Sequence, residues 1–280
     1  MNFIDQSAST VLPRLIGRTV IRLAILASLL RLATAAGVDF AILGDRTGNA
    51  VPGVYEQVCK GIAAHHPDFV INVGDTIEGF DNETAAAEWD EVRPAWKDFG
   101  DIPFYLVPGN HDIWSPASER IWRAQTGHPP WYSFDFRGVH VTVLDNSRSE
   151  GLMADQMSFL ESDLAAHAAQ SPKFIFFHRP FWLVAIKFQN GNFPLHRIAR
   201  KYGAGFVVSG HVHEFDRSQY EGVQYVMVGS SGGSLSHGRG ATPSKTGLDG
   251  LYFGYAWVHV EGGTAKLEFR RVETQSGWGK

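Results

Sequence analysis

The sequence predicts an α/β fold: two mixed sheets facing each other, with helices on the outer faces. Three observations carry this. Over the first half of the chain short apolar runs alternate with stretches of helical spacing, the pattern of βαβ units and a parallel sheet with right-handed crossovers. A hairpin signal at Arg137-Gly138 and further apolar runs after residue 173 supply a second sheet. No linker-like stretch divides residues 37–275, so one domain holds both sheets.

The elements follow in order. Val38 to Leu43 is an apolar run that ends at Gly44-Asp45, which reads as a buried strand. Val51 to His65 has helical spacing through Val54, Val58 and Ile62 and stops before Pro67. Phe69 to Val73 is the next strand. Glu83 to Phe99 reads as a helix that Pro94 bends or ends early. Pro103 to Val107 is a third strand, running into Pro108-Gly109-Asn110-His111. Trp131 to Phe136 and Val139 to Leu144 form the hairpin. Ala154 to Ala169 is a helix, Lys173 to Phe177 a strand ending at His178, Pro194 to Tyr202 a short helix, and Phe206 to Ser209 a strand ending at Gly210-His211. The late runs Gln224 to Val228, Leu251 to Val260 and Ala265 to Val272 are expected to be antiparallel, with a turn at Glu261-Gly262-Gly263.

Composition narrows the function. The 280 residues are 44% hydrophobic, ample for a core, and carry a net charge of −4, which excludes a nucleic-acid-coating surface. Cys59 is the only cysteine, so neither an internal disulfide nor a thiolate-rich zinc site can form. Residues 1–36 differ from the rest: Arg14, Arg18 and Arg22 precede the apolar run Leu23 to Leu30, and Ala33-Thr34-Ala35-Ala36 offers small residues for cleavage. That is the order of a secretory signal peptide, so a periplasmic or secreted protein is expected, with a cytoplasmic one as the alternative. The run is too short for a transmembrane helix, which needs about 20 apolar residues. Residues 276–280 form a C-terminal tail. No segment signals an obligate protein partner.

Five blocks end apolar runs in sequence order: Gly44-Asp45-Arg46, Gly74-Asp75-Thr76-Ile77-Glu78, Gly109-Asn110-His111-Asp112, His178 within Phe-Phe-His-Arg-Pro, and Gly210-His211-Val212-His213. Strand ends are where an α/β scaffold gathers side chains from distant parts of the chain. Each block alone has a plainer reading. An Asp after Gly is commonly a turn residue, and two histidines after a strand are commonly surface groups. Together, in this order, they resemble the calcineurin-like metallophosphoesterases. The resemblance spans roughly Asp39 to Glu273, and Thr47 departs from it by standing where the family has a histidine. It implies a four-layer α/β/β/α sandwich and metal-dependent hydrolysis of a phosphoester. The cofactor it implies is a pair of divalent ions, and Mn, Fe or Zn would accept imidazole and carboxylate together.

By that resemblance Asp45, Asp75 and His213 bind the first ion, while Asp75, Asn110, His178 and His211 bind the second. Asp75 is the bridge, and the attacking group is a hydroxide held between the ions. His111 is the general acid, with Asp112 holding its ring. With Thr47 in place of a ligand, the first ion is expected to bind more weakly. Arg46 reads either as a substrate-phosphate contact or as half of a surface ion pair. His237 and Arg239, in the Gly-rich loop Gly229 to Gly240, are further candidates to reach a phosphate. Trp114, Phe181 and Trp182 are candidates for an apolar wall or for the core. Thr76, Ile77 and Glu78 after Asp75 lack the tyrosine that purple acid phosphatases place there. Two rivals stand beside hydrolysis: a catalytically impaired relative that binds a phosphorylated ligand or protein, and a zinc peptidase or amidase. The second is disfavoured by the absence of a His-Glu-x-x-His motif.

Overall fold

The structure, a computed structural model, describes residues 37–235 and 251–273. The candidate signal peptide, His237, Arg239 and the C-terminal tail lie outside the described residues.

The chain opens with β1 (Val38–Leu43), α1 (Val54–Ala63), β2 (Phe69–Asn72), α2 (Ala85–Val92) and a 3-10 helix (Arg93–Phe99). Pro94 explains that change of helix type, since it removes one backbone donor from the ladder. After β3 (Phe104–Tyr105) comes α3 (Pro116–Thr126), which the apolar pattern does not announce. Its start is encoded instead by polar residues: the Ser115 hydroxyl accepts the Ser118 N–H at 3.1 Å, the Ser118 hydroxyl accepts the Ser115 N–H at 2.9 Å, and Pro116 opens the helix.

The second half runs β4 (Tyr132–Phe136), β5 (Val139–Val143), α4 (Ala154–Ala166), β6 (Lys173–Phe176), α5 (Leu183–Lys187), α6 (Pro194–Lys201) and β7 (Phe206–Ser209). It ends with β8 (Asp216–Tyr220), β9 (Val223–Met227), β10 (Gly254–Glu261) and β11 (Thr264–Arg271). The strands form a five-stranded sheet, ordered β11-β10-β1-β2-β3, and a six-stranded sheet, ordered β4-β5-β6-β7-β9-β8. In the first, β1, β2 and β3 are parallel, as the βαβ pattern requires, and β10 joins β1 antiparallel.

The expectation that all the late strands are antiparallel holds for β10 and β11, joined through Gly262 and Gly263, both at positive φ. It fails for β9, which runs parallel to β7. The cause is β8, whose sequence Asp-Arg-Ser-Gln-Tyr is too polar to read as a strand. It forms the sheet edge and turns the chain back, so β9 enters beside β7 in the same direction.

Three apolar layers hold the sandwich. Between the sheets lie Phe40, Ile42, Phe69 and Ile71 from one side and Val141, Phe174, Phe176 and Val208 from the other. Phe40 stacks on Phe69 at 4.4 Å and meets Phe174 edge-on at 5.2 Å across the layer. Truncating one such ring to alanine would cost about 3–5 kcal/mol. Alternate residues of the same strands point outward. Ala41, Leu43 and Val70 meet α1 and α2 on one side; Ile175, Phe177 and Val207 meet Leu160 of α4 and Ala199 of α6 on the other. Cys59 is fully buried in the first of these outer layers, as a small apolar residue.

Candidate metal centre

The six expected ligands all lie on loops that leave strand ends at one rim of the sandwich. The loop carrying Asp75 and the loop carrying Asn110 touch. A side chain at Gly109 would come within 2.2 Å of the Asp75 N and of its Oδ1, so only glycine allows that approach. The local backbone is strained: Asp75, His211 and His213 have φ of 54°, 73° and 59°. Left-handed backbone at non-glycine residues costs stability and persists where surrounding structure enforces it, commonly at functional sites.

Asp75, His178 and His211 offer ligand atoms that all lie within 4.8 Å of one another. His178 Nε2 is 3.1 Å from Asp75 Oδ2 and 3.1 Å from Asn110 Oδ1. It also lies 3.2 Å from His211 Nδ1. His178 Nδ1 donates to the Val73 carbonyl at 2.8 Å, which fixes the ring and turns Nε2 toward this group. Four of the expected residues thus converge on one point.

Asp45 and His213 form the neighbouring pair. His213 Nε2 lies 3.3 Å from Asp45 Oδ2, and His213 Nδ1 donates to the Ser234 carbonyl at 2.7 Å. The His211 N–H donates to Asp45 Oδ2 at 2.8 Å and so ties the two groups together. Asp45 Oδ1 is buried with no hydrogen-bond partner. A buried carboxylate oxygen with no donor, on a residue whose other oxygen faces an imidazole, has the lone pairs a divalent cation takes. The donor set therefore fits divalent ions, with Asp75, Asn110, His178 and His211 able to hold one and Asp45 with His213 able to hold another. Thr47 is buried and brings no imidazole to the second group.

The carboxylates and imidazoles of the cluster shift one another's proton affinity. Burial opposes charging of His178, yet Asp75 pushes its imidazole up to about 9. Burial likewise opposes charging of His213, and the bond to Asp45 pushes it up to about 9. Burial, the largest influence, pushes the Asp45 carboxyl above its ordinary value, and His213 only partly offsets this. His211 goes the other way: burial, then the charges of His178 and Arg179, push it down to about 4.

Asp112 does not hold the ring of His111. Its carboxylate accepts the N–H groups of Thr76 at 2.8 Å, Ile77 at 3.3 Å and Gly109 at 2.8 Å. The His111 ring is held instead by the Glu78 carbonyl, which accepts from Nδ1 at 2.6 Å, while the His111 N–H donates to Asp75 Oδ1 at 2.9 Å. Glu78 spends its own carboxylate on the Ala50 N–H at 2.9 Å, bracing the loop after Asp45.

Arg46 makes no ion pair among the described residues. Its Nη1 donates to the Thr76 carbonyl at 3.0 Å and its guanidinium lies 5.9 Å from the Tyr55 ring centre, so it buttresses the Asp75 loop. The described part of the Gly-rich loop is a brace as well: Ser231 and Gly232 donate their N–H groups to the Asp45 carbonyl at 2.9 and 3.0 Å. Trp182 is a core residue, its Nε1 donating to Ser209 at 3.0 Å, and Phe181 packs on Phe177 and Phe193.

The sequence profile of the calcineurin-like phosphoesterases matches residues 49–215. The chain belongs to that family. The matched region starts just after Asp45-Arg46-Thr47, the block in which the expected histidine is missing. Among family relatives, purple acid phosphatase 15 of Arabidopsis thaliana is 22% identical over 59% of this chain and 40% of its own length. The serine/threonine-protein phosphatase CPPED1 of Bos taurus is 31% identical over 49% of this chain and 51% of its own. The chain thus spans about half or less of these relatives. Among solved structures, the purple acid phosphatase PPD1 of yellow lupin (Lupinus luteus) superposes with a TM-score of 0.66 at 18% identity, covering 85% of this chain and 52% of that one. GAP50, described as the anchor in the inner membrane complex of Plasmodium, gives 0.59 at 16%, covering 84% of each chain. Both likenesses are of fold.

One cluster outside this rim also brings histidines and carboxylates together. His140 is fully buried, its Nδ1 2.8 Å from Asp135 and its Nε2 3.0 Å from Asp163; the His167 ring stacks on it at 4.0 Å and 17°. Both His140 nitrogens already face carboxylates. The geometry is that of an ion-pair network. It lies at the opposite end of β5 and β6 from His178, with His140 in register with Lys173.

Proposed function

We propose that this calcineurin-like phosphoesterase is a metal-dependent hydrolase of phosphoesters. The observation that supports it best is the convergence of Asp75, His178 and His211 within 4.8 Å, with Asn110 in hydrogen-bond reach. The mixed carboxylate, amide and imidazole donors suit Mn, Fe or Zn. When bound, two such ions supply polarisation of the phosphoryl oxygens and a water of lowered pKa.

The chain does the rest. Asp75, 3.1 Å from His178 and close enough to Asp45 for its charge to act there, would be the carboxylate that both ions share. His111, anchored through Nδ1 by the Glu78 carbonyl, is left with Nε2 to deliver a proton to the leaving oxygen. Asp112 sets the spacing of the loops that carry Asp75, Asn110 and His111. Export through the N-terminal segment belongs to the same proposal; among the described residues no helix is long and apolar enough to cross a membrane.

An Mn-supplemented assay with aryl phosphate mono- and diesters tests this reading. Turnover is expected in the wild type, with losses of about a hundredfold or more in Asn110→Ala and His211→Ala. Turnover unchanged in both variants would reject the site. The rival reading, a phosphate-binding relative without activity, rests on Thr47 and would show phosphate binding with no turnover.

A further inference from the structure

Beside the metal centre lies a cleft of about 430 Å³ whose lining includes Asn110, Phe80, Trp114, Arg148, Glu150 and Arg179. Asn110 belongs to both, so the cleft opens directly from the ligand cluster. Its two sides differ in chemistry.

One side is cationic and rigid. Arg179 follows His178, and its backbone is clamped by Asn146. Asn146 Oδ1 accepts the N–H groups of His178 at 3.1 Å and Arg179 at 3.0 Å, and its Nδ2 donates to the Arg179 carbonyl at 2.8 Å. The guanidinium is incompletely satisfied. Its Nε is buried without a hydrogen-bond partner, and its Nη1 donates at 2.9 Å to Glu150, whose side chain is 86% exposed. An exposed carboxylate is a weak partner, readily displaced by another anion. Arg148, bonded to Glu119 at 2.8 Å, adds a second cation.

The other side is aromatic and strained. Phe80 is 57% exposed yet lies at φ 64°, a conformation rare for a bulky residue. Its ring sits 4.7 Å from that of His111 and 5.7 Å from that of Trp114. Gly79 before it, at φ 69°, leaves no room for a Cβ, which would fall 1.9 Å from the His111 carbonyl oxygen. The loop is thus pressed against the His111 segment, with an apolar ring held in the open.

We infer that this cleft selects the substrate. Arg179 binds a phosphoryl oxygen in the place Glu150 takes, and Phe80 with Trp114 receives a flat leaving group, so the preferred class is the phosphomonoester of an aromatic alcohol. A monoester dianion gains more from a guanidinium fork than a diester monoanion does. This rests on the hydrolase reading above.

The experiment compares Mn-loaded wild type, Arg179→Gln, Arg179→Lys, Glu150→Gln and Phe80→Ala on 4-nitrophenyl phosphate, bis(4-nitrophenyl) phosphate and an alkyl monoester. Arg179→Gln should raise KM for the aryl monoester about tenfold, with a clearly smaller rise for the diester and Mn content intact. Arg179→Lys should restore part of the loss. Glu150→Gln should lower KM, and Phe80→Ala should weaken the aryl ester more than the alkyl ester. Equal changes for mono- and diester, or an unaltered KM in both Arg179→Gln and Glu150→Gln, would overturn the inference. If Arg179→Gln loses its Mn, Glu150→Gln alone decides. If the wild type hydrolyses no ester, the hydrolase reading fails by itself. Calorimetric titration of the Mn-loaded protein with inorganic phosphate then still decides: affinity about tenfold weaker in Arg179→Gln supports the anchor, and equal affinity overturns it.

Discussion

Asp112 ties two ligand loops together through three backbone N–H groups. Burial, then the Asp75 charge, pushes its carboxyl up to about 7, against the pull of the Gly109 and Thr76 donors. Removing it leaves three buried donors unpaired, at about 1–3 kcal/mol each before relaxation. Asp112→Ala should therefore lower Tm and weaken Mn binding together. His111→Ala should instead leave Tm and Mn content intact while reducing kcat by about a hundredfold or more. Equal metal loss in both variants would contradict this division of labour. Block identity was legible in the sequence because each ligand stands at the end of an apolar run. The partner of each carboxylate was not, since Asp112 and Glu78 bond to backbone groups that no side-chain motif records. Arg179 was legible as a neighbour of His178 but not as a cleft residue, because its role depends on Asn146, more than thirty positions away.

Among the elements, those with apolar periodicity were read closely; β1 and β7 match their expected bounds. α3, α5 and β8 were missed for three different physical reasons: capping by serines, a length of five residues, and a polar edge sequence. The β4–β5 hairpin and α4 also build the buried network around His140. Its imidazole faces Asp135 of β4, Asp163 of α4 and His167, which caps the end of α4. Burial opposes the charge, but the bonds to Asp163 and Asp135 raise His140 above 6.5. Its contribution to stability is thus full below pH 6.5 and is lost as pH climbs through the raised folded value. Asp163 is lowered below 3.8: burial opposes this, and the His140, Thr142 and Ser133 bonds outweigh it. Its contribution is present above pH 3.8 and is lost as pH falls through the lowered value. Thermal melts of wild type and His140→Leu should differ most between these limits, by about 3 kcal/mol, and the difference should shrink as pH rises above 6.5. A constant difference from pH 5 to 9 would exclude a charged His140.

At the scale of the whole molecule, two sheets sharing one apolar layer bring residues from Asp45 to His213 to a single rim. The layered architecture was legible from the alternation of strand and helix signals. The parallel entry of β9 was not, because it depends on where β8 pairs. β1 begins at Val38, so cleavage after Ala36 would leave every described element whole. Mass measurement of protein recovered from the periplasm or medium should show a mature N-terminus at or near Gly37, and a full-length species only in the cytoplasm would argue against export. Thr47 brings no imidazole, so the two proposed ligand groups are unequal, with Asp75, Asn110, His178 and His211 in one and Asp45 with His213 in the other. Calorimetric titration of the metal-stripped protein with Mn tests the paired-cation centre most directly. Two ions per chain are expected, bound with distinct affinities, the tighter lost in His178→Ala and the weaker in Asp45→Asn. No binding in the wild type, or a titration unchanged by His178→Ala, would contradict it.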